Sequence, residues 1–274
     1  MALQRLHLLD ALRGLAALAV VFWHWQHFGA ALPLETLFWL PYHGGGHAVE
    51  FFFFLSGIVF FHLYGQHLPS ARTFFWLRFS RLYPLHLLTF LAMLALPAFH
   101  YPRDAAHGAL HLLLLNAWAA GHSWNAPAWS ISVEAFLYLC FYFVVRLGLT
   151  RLPQLAALSL IGIAIHNLSP FPQIGQGLTW FFIGGAFAQL LGRDLEAFDP
   201  AWARHLAPLG DISYSVYLLH FPLQAAFAAS FPREYFAEPG ALAFFFGSLL
   251  ILAYLSYHTF ERPAQNLIRR LALG

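Results

Sequence analysis

Arg13 and His24 lie eleven residues apart in an otherwise apolar run. On a helix that is about three turns, so both side chains share one face roughly 16 Å apart. Such a face carries a permanent cation at one end and, deeper, a group that takes or gives a proton near neutrality. Asp10, one turn before Arg13, is close enough to hold the guanidinium as an i,i+3 pair and too far from His24 to orient it. As structure alone, Arg13 snorkels to a membrane edge and His24 bonds a neighbouring carbonyl. As chemistry, the pair is an anion-attracting cation and a general base.

Other polar residues stand where apolar ones are expected. Glu50 opens an apolar run, either as a favourable charge at a helix N-terminus or as a ligand-binding carboxylate. In the same run, Ser56-Gly57 reads as a point of close helix packing. Arg78 and Arg81, at i,i+3, either supply positive charge beside a span or clamp phosphates bidentately. Ser130 and Glu134, at i,i+4, form a capping pattern or a polar edge for an acceptor. His220 lies among hydroxyls two residues before Pro222, whose ring frees a backbone carbonyl. There is no HExxH, Walker loop, GxSxG elbow or metal triad, so no metal site is expected. Gly44-Gly45-Gly46 reads as a loop turn.

These residues need elements to hold them, and composition sets the class. The 274 residues are 60% hydrophobic, 18% aromatic and 9% charged, with a mean hydropathy of +0.62. A soluble domain is about a quarter charged, so a water-soluble globule is excluded and lipid must supply the missing shell. The net charge is +2 and every basic residue other than histidine is Arg. No dense basic stripe tracks a phosphate backbone, which argues against nucleic acid as a partner. Cys140, the single cysteine, permits no internal disulfide and reads as a small buried hydrophobe.

Apolar stretches near 11–30, 48–65, 82–99, 132–149, 152–168, 174–192, 212–231 and 241–260 predict an all-α polytopic membrane protein of about eight spans, or ten if two pairs are merged. The first is a retained span, because aromatic and polar residues replace a leader's small-residue cleavage site. The piece 108–120 is too short to cross and is expected to be re-entrant or interfacial. With it not crossing, nearly all arginines fall on alternate, cytoplasmic sides, and only Arg103 and Arg233 fall outside. Both termini are therefore expected in the cytoplasm. Residues 1–274 are expected to form one transmembrane domain.

The ordered set of segments resembles the membrane acyltransferase 3 family. Leu9-Asp10-Ala11-Leu12-Arg13-Gly14 with His24 is similar to the family's opening span, and Glu50-Phe51-Phe52-Phe53-Phe54-Leu55-Ser56-Gly57 to its next signature. Arg78-Phe79-Ser80-Arg81-Leu82-Tyr83-Pro84, Trp129-Ser130-Ile131-Ser132-Val133-Glu134, Ile212–His220 and Glu261-Arg262-Pro263 follow in the family's order. The sequence departs from the usual pattern in its length and in Ala11 and Ala135, and no appended hydrolase-like extracytoplasmic domain of the kind some members carry is expected.

The resemblance implies a bacterial inner-membrane enzyme that transfers an acyl group, commonly acetyl, from coenzyme A to a hydroxyl of a carbohydrate, glycolipid or similar acceptor. Acetyl-coenzyme A or another acyl-coenzyme A is then the donor substrate and no cofactor is permanently bound. On this view His24 is the general base, with Glu134 as its catalytic partner. Asp10, Arg13, Arg78 and Arg81 serve the donor, and Glu50, Ser130 and His220 bind the acceptor. A transporter using the same polar interior is the rival reading, although the inverted repeat it would call for is not seen.

Overall fold

The computed structural model describes residues 6–96, 104–118, 123–192 and 199–273, and among them every regular element is helical. Arg5, Arg103 and Arg193, which entered the sidedness argument, lie outside the described residues. Eight helices of 17–25 residues stand at the eight expected places: α1 (His7–His24), α3 (Ala48–Tyr64), α4 (Ala71–Ala95), α6 (Ala128–Arg146), α7 (Leu152–Leu168), α8 (Pro172–Leu191), α10 (Ser213–Ser230) and α11 (Pro239–Ser256). Shorter helices are α2 (Trp39–Gly44), α5 (Ala105–Leu112), α9 (Ala203–Asp211) and α12 (Arg262–Leu273). Counted with their direct continuations, five stretches are both long and apolar enough to cross a bilayer. Leu160, Ile161, Leu190 and Ile251 are all exposed, as a lipid-facing surface requires. The chain is an all-α polytopic integral membrane protein.

Helix starts follow local chemistry. The Ser70 hydroxyl accepts the Thr73 N–H at the start of α4, and Pro172 and Pro239 stand in the first turns of α8 and α11, where their missing N–H is not needed. The first turn of α1 has no cap of its own. Asp199, far along the chain, accepts from Leu8 N–H at 2.9 Å and contacts His7 Nδ1 at 2.7 Å, which ties the helix start to the approach of α9.

Small residues allow the closest packing. A Cβ on Gly57 would lie 2.0 Å from the Phe181 carbonyl oxygen, so the α3–α8 contact requires glycine, as Ser56-Gly57 predicted. α8 also packs on α7, while α1 contacts α2, α3, α9 and α10, and α12 lies on α4. Aromatic rings fill the centre, with Phe60 stacked on Tyr138 at 4.9 Å and Phe141 set edge-on to Phe61 at 5.0 Å.

Several expectations need correction. The third span starts eleven residues earlier than 82, so Arg78 and Arg81 sit inside the continuous helix α4 rather than on its approach. The tri-glycine is a helical junction between α2 and α3: a Cβ on Gly45 would meet the Ala19 carbonyl oxygen at 2.1 Å, so close backbone approach to α1 explains the glycine. Cys140 is half-buried. Beyond the last expected span, the chain continues through a π-helical turn at Tyr257–Glu261 into the helix α12.

Among its described residues, the segment expected not to cross holds the end of the eight-residue α5 and a short 3-10 turn at Asn116–Trp118, α5 being about 12 Å long. It is held by buried polar bonds. His111 Nε2 accepts the Trp124 N–H at 3.0 Å, so its Nδ1 carries the proton donated to the His107 carbonyl at 2.8 Å. The His111 carbonyl accepts from His86 Nε2, and Asn116 donates to the Ser123 hydroxyl. Pro222 removes the N–H that Leu218 C=O would use, and Asn125 Nδ2 donates to that carbonyl at 3.0 Å. The carbonyl that the proline was expected to free is thereby satisfied.

Candidate functional site

Four helices bring charged and hydroxyl side chains to one cavity of about 80 Å³. α1 contributes Arg13, α4 contributes Arg78 and Arg81, α6 contributes Ser130, Glu134 and Tyr138, and α10 contributes Ser213, Tyr214 and Tyr217, against an apolar wall from α3 that includes Phe52 and Phe60. A second, more polar chamber of about 160 Å³ shares Arg13, Arg81, Ser213 and Tyr214 with the first. It adds Asp10, Glu261, Gln265 and Arg269.

Each polar wall is held in place. Arg13 and Asp10 form the expected i,i+3 pair at 3.9 Å, and Arg13 is also within electrostatic reach of Arg81 and Glu134. Arg78 donates to the Tyr64 hydroxyl at 2.7 Å and lies over the Phe60 ring at 4.7 Å and the Tyr64 ring at 5.1 Å, a cation–π cage that fixes the guanidinium. The Tyr138 hydroxyl donates to Glu134. Ser130 and Tyr217 share a hydrogen bond at 2.8 Å, and the Tyr214 hydroxyl donates to the Leu82 carbonyl at 2.6 Å. Ser130 and Glu134 therefore hold cavity tyrosines rather than forming the cap that their spacing allowed.

The histidines form a separate cluster. His24 donates from Nδ1 to the Val20 carbonyl at 2.9 Å, which leaves Nε2 as the ring's acceptor in the neutral form. Its ring centroid lies 4.8 Å from that of the fully buried His220 and 5.1 Å from that of His27. Gln224 donates to the His24 carbonyl at 2.6 Å. Neither His24 nor His220 lines the cavity. Tyr217 connects the two regions, one face of it in the cavity and its ring 6.1 Å from His220. No described hydrogen bond joins Glu134 to His24.

Glu50 stands apart from both regions. It accepts from Gln176 Nε2 at 2.7 Å and contacts His47 Nδ1 at 3.3 Å, in a shallow cleft with His166, Asn167 and Trp180. Five sequence candidates thus meet in the main cavity, Asp10 lines the adjoining chamber, His24 and His220 pair beside it, and Glu50 lies elsewhere. Sequence reasoning missed Tyr138, Tyr214, Tyr217, Glu261 and Arg269. For the last two a signal existed: residues 261, 265 and 269 repeat at helical spacing on one face.

The family model for an acyltransferase domain matches residues 6–203, the stretch that contains α1, α4 and α6 with their cavity residues. The chain belongs to the membrane acyltransferase 3 family. Among relatives of this membrane acyltransferase 3 chain, acyltransferase MdmB of Streptomyces mycarofaciens is 36% identical over 149 residues, 50% of this chain and 38% of that protein. Protein 2 in the picA locus of Rhizobium radiobacter is 38% identical over 96 residues, 34% of this chain and 46% of that protein. The chain therefore spans less than half the length of either relative. No solved structure matches it.

Proposed function

We propose that this protein transfers an acyl group, acetyl in the first instance, from coenzyme A to a hydroxyl of a carbohydrate or similar acceptor within the membrane. The observation that carries this reading is the meeting of Arg13, Arg78, Arg81, Ser130 and Glu134 in one cavity of a chain belonging to an acyltransferase family. Guanidiniums suit the donor's phosphates, because planar N–H forks bind phosphate bidentately. The long arm of coenzyme A then carries its thioester past Tyr217 toward His24.

His24 Nε2 serves as general base. It removes the acceptor hydroxyl proton as that oxygen attacks the thioester carbonyl, and the resulting imidazolium returns the proton to the departing thiolate. The products are the acyl ester and free coenzyme A. His220 positions His24 by packing against it, Ser130 and Tyr217 offer hydroxyls to the acceptor, and Glu134 balances the arginine charge in the cavity. The N-terminal end of α1 and the helix α12 share one chamber, which fits both termini on the cytoplasmic side of a bacterial inner membrane, where the donor is made.

The test is release of free thiol from acetyl-CoA by the detergent-purified protein, comparing wild type, His24→Ala and Arg78→Ala/Arg81→Ala. The reading requires turnover in wild type, loss of about 10²-fold or more in His24→Ala, and retained donor binding in that variant. Equal turnover in His24→Ala removes the base assignment. Solute movement across vesicles without thiol release would replace the enzyme with a transporter.

A further inference from the structure

Arg269 comes from α12, beyond the stretch matched by the family, and it reaches the turn of α4 that carries Arg78 and Arg81. Its Nε donates to the Ser80 hydroxyl at 3.3 Å, and Ser80 stands between those two arginines in the chain. Arg269 lies within electrostatic reach of both Arg78 and Arg81, and Arg81 lines both cavities, beside Arg78 in the first and Arg269 in the second. Among the described residues, the only arginine ion pair is Arg13–Asp10, so no carboxylate lies within 4.0 Å of Arg78, Arg81 or Arg269. Glu134 and Glu261 act on Arg81 only from a distance, so three closely placed cations at the edge of a low-dielectric interior keep N–H donors with no carboxylate in contact, an arrangement that an added anion would favour.

The arrangement that delivers Arg269 leaves its charge free. The Ser215 hydroxyl donates to one oxygen of the buried Glu261 at 2.7 Å, and Gln265 donates to the other at 3.1 Å. Gln265 then accepts from Arg269 Nη2 at 3.5 Å. The ladder Ser215–Glu261–Gln265–Arg269 fixes the side chain through an amide rather than through a carboxylate. The π-helical turn ends at Glu261 and sets this face of α12 toward the chamber, a role such turns often have at functional sites.

We infer that Arg269 completes a three-guanidinium seat, with Arg78 and Arg81, for the phosphate groups of a phosphate-bearing ligand. The inference rests on the function proposed above only in naming that ligand as the coenzyme A donor. The C-terminal helix is then part of the donor site, and a chain ending before it would lose donor affinity without losing His24.

The experiment measures binding of inorganic pyrophosphate and, separately, of coenzyme A to the full chain in detergent by calorimetry. The proteins are wild type, Arg269→Gln, Arg269→Lys and Arg270→Gln, the last altering an exposed neighbour on the same helix. The expected result is about tenfold weaker binding of both probes to Arg269→Gln, a smaller loss in Arg269→Lys, a shallower salt dependence in Arg269→Gln, and no change in Arg270→Gln. Equal affinity in wild type and Arg269→Gln overturns the inference and leaves the acyltransferase reading intact. Arg269-dependent pyrophosphate binding without coenzyme A binding supports the seat and overturns the donor assignment, and competition by phosphatidylglycerol in mixed micelles then identifies a lipid phosphate. If Arg269→Gln does not fold, Arg269→Lys decides: unchanged affinity and salt dependence for both probes overturn the inference.

Discussion

Two polar regions inside this membrane protein use similar residues in opposite ways. Around the short helix α5, His86, His111, Asn116, Ser123 and Ser132 each make at least one hydrogen bond to a neighbour, and His111 uses both ring nitrogens. In the cavity between α1, α4, α6 and α10, Arg78 and Arg81 have no carboxylate within 4.0 Å among the described residues, and Glu134 and Glu261 act on Arg81 only from further away. Burial of polar groups is tolerated when they satisfy one another, and the first region follows that rule for most of its groups, with only His86 Nδ1, Asn116 Oδ1 and Asn125 Oδ1 lacking a partner among the described residues. The second breaks it in the manner of a binding site, whose missing partner comes with the ligand.

The largest expected effect tests the ligand side of this contrast. Arg78→Ala/Arg81→Ala removes two donors of charge-assisted hydrogen bonds, each worth about 1.5–3 kcal/mol. Coenzyme A affinity should fall about 10²–10⁴-fold in calorimetry, while the ligand-free unfolding temperature stays the same or rises. A large drop in ligand-free stability would show that these arginines serve the fold after all.

The reciprocal variant is His111→Leu. It leaves the Trp124 N–H unpartnered and loses the ring stacked 5.2 Å from Trp124, so stability should fall by about 1–3 kcal/mol with coenzyme A affinity unchanged. A loss of affinity without a loss of stability would move this segment into the site.

The same residue supplies a pH dependence. Burial pushes His111 below the ordinary imidazole value, the charge of His107 adds to this, and the bond to the His107 carbonyl opposes both. The unfolded chain therefore binds the proton first. His111 contributes its full stabilisation above about pH 6.5, and this contribution is lost as pH falls below that value. Thermal unfolding between pH 7.5 and 5 should show a shallower loss in His111→Leu than in wild type, and parallel curves would count against the neutral tautomer.

Two smaller effects bound the contrast. Asp199→Ala removes the acceptor at the start of α1 and should cost about 1 kcal/mol in unfolding experiments, with donor affinity unaffected. Glu50→Gln, in a carboxylate remote from the cavity, should leave kcat and KM for thiol release within about twofold. A tenfold rise in KM for the acceptor would restore Glu50 to the substrate site.

Much of the fold is legible in the chain because lipid removes alternatives. Backbone polar groups in hydrocarbon must be satisfied within the segment, so apolar runs of sufficient length become helices whatever their neighbours do. Helices stand at all eight expected stretches, five stretches being long and apolar enough to cross a bilayer, and the Asp10–Arg13 pair followed from helical spacing alone. The start of α4 was misplaced because Arg72, Arg78 and Arg81 lower hydropathy without interrupting a helix, and α12 was missed because an amphipathic helix outside the apolar runs has no hydropathy signal.

The sequence by itself therefore determined the class and the order of the apolar helices, since each depends on composition and on neighbours within a turn or two. Only the tertiary structure decided which of the ionisable groups meet. Arg13, Arg78, Glu134 and Tyr214 come from four helices spread over some two hundred residues, and their convergence depends on helix rotation and close packing at residues such as Gly57 and Gly210. Glu50 and Glu134 look alike along the chain, each opening an apolar run. Packing turned one toward the arginines and the other toward Gln176, a choice made by the shapes of neighbouring helices rather than by the local sequence.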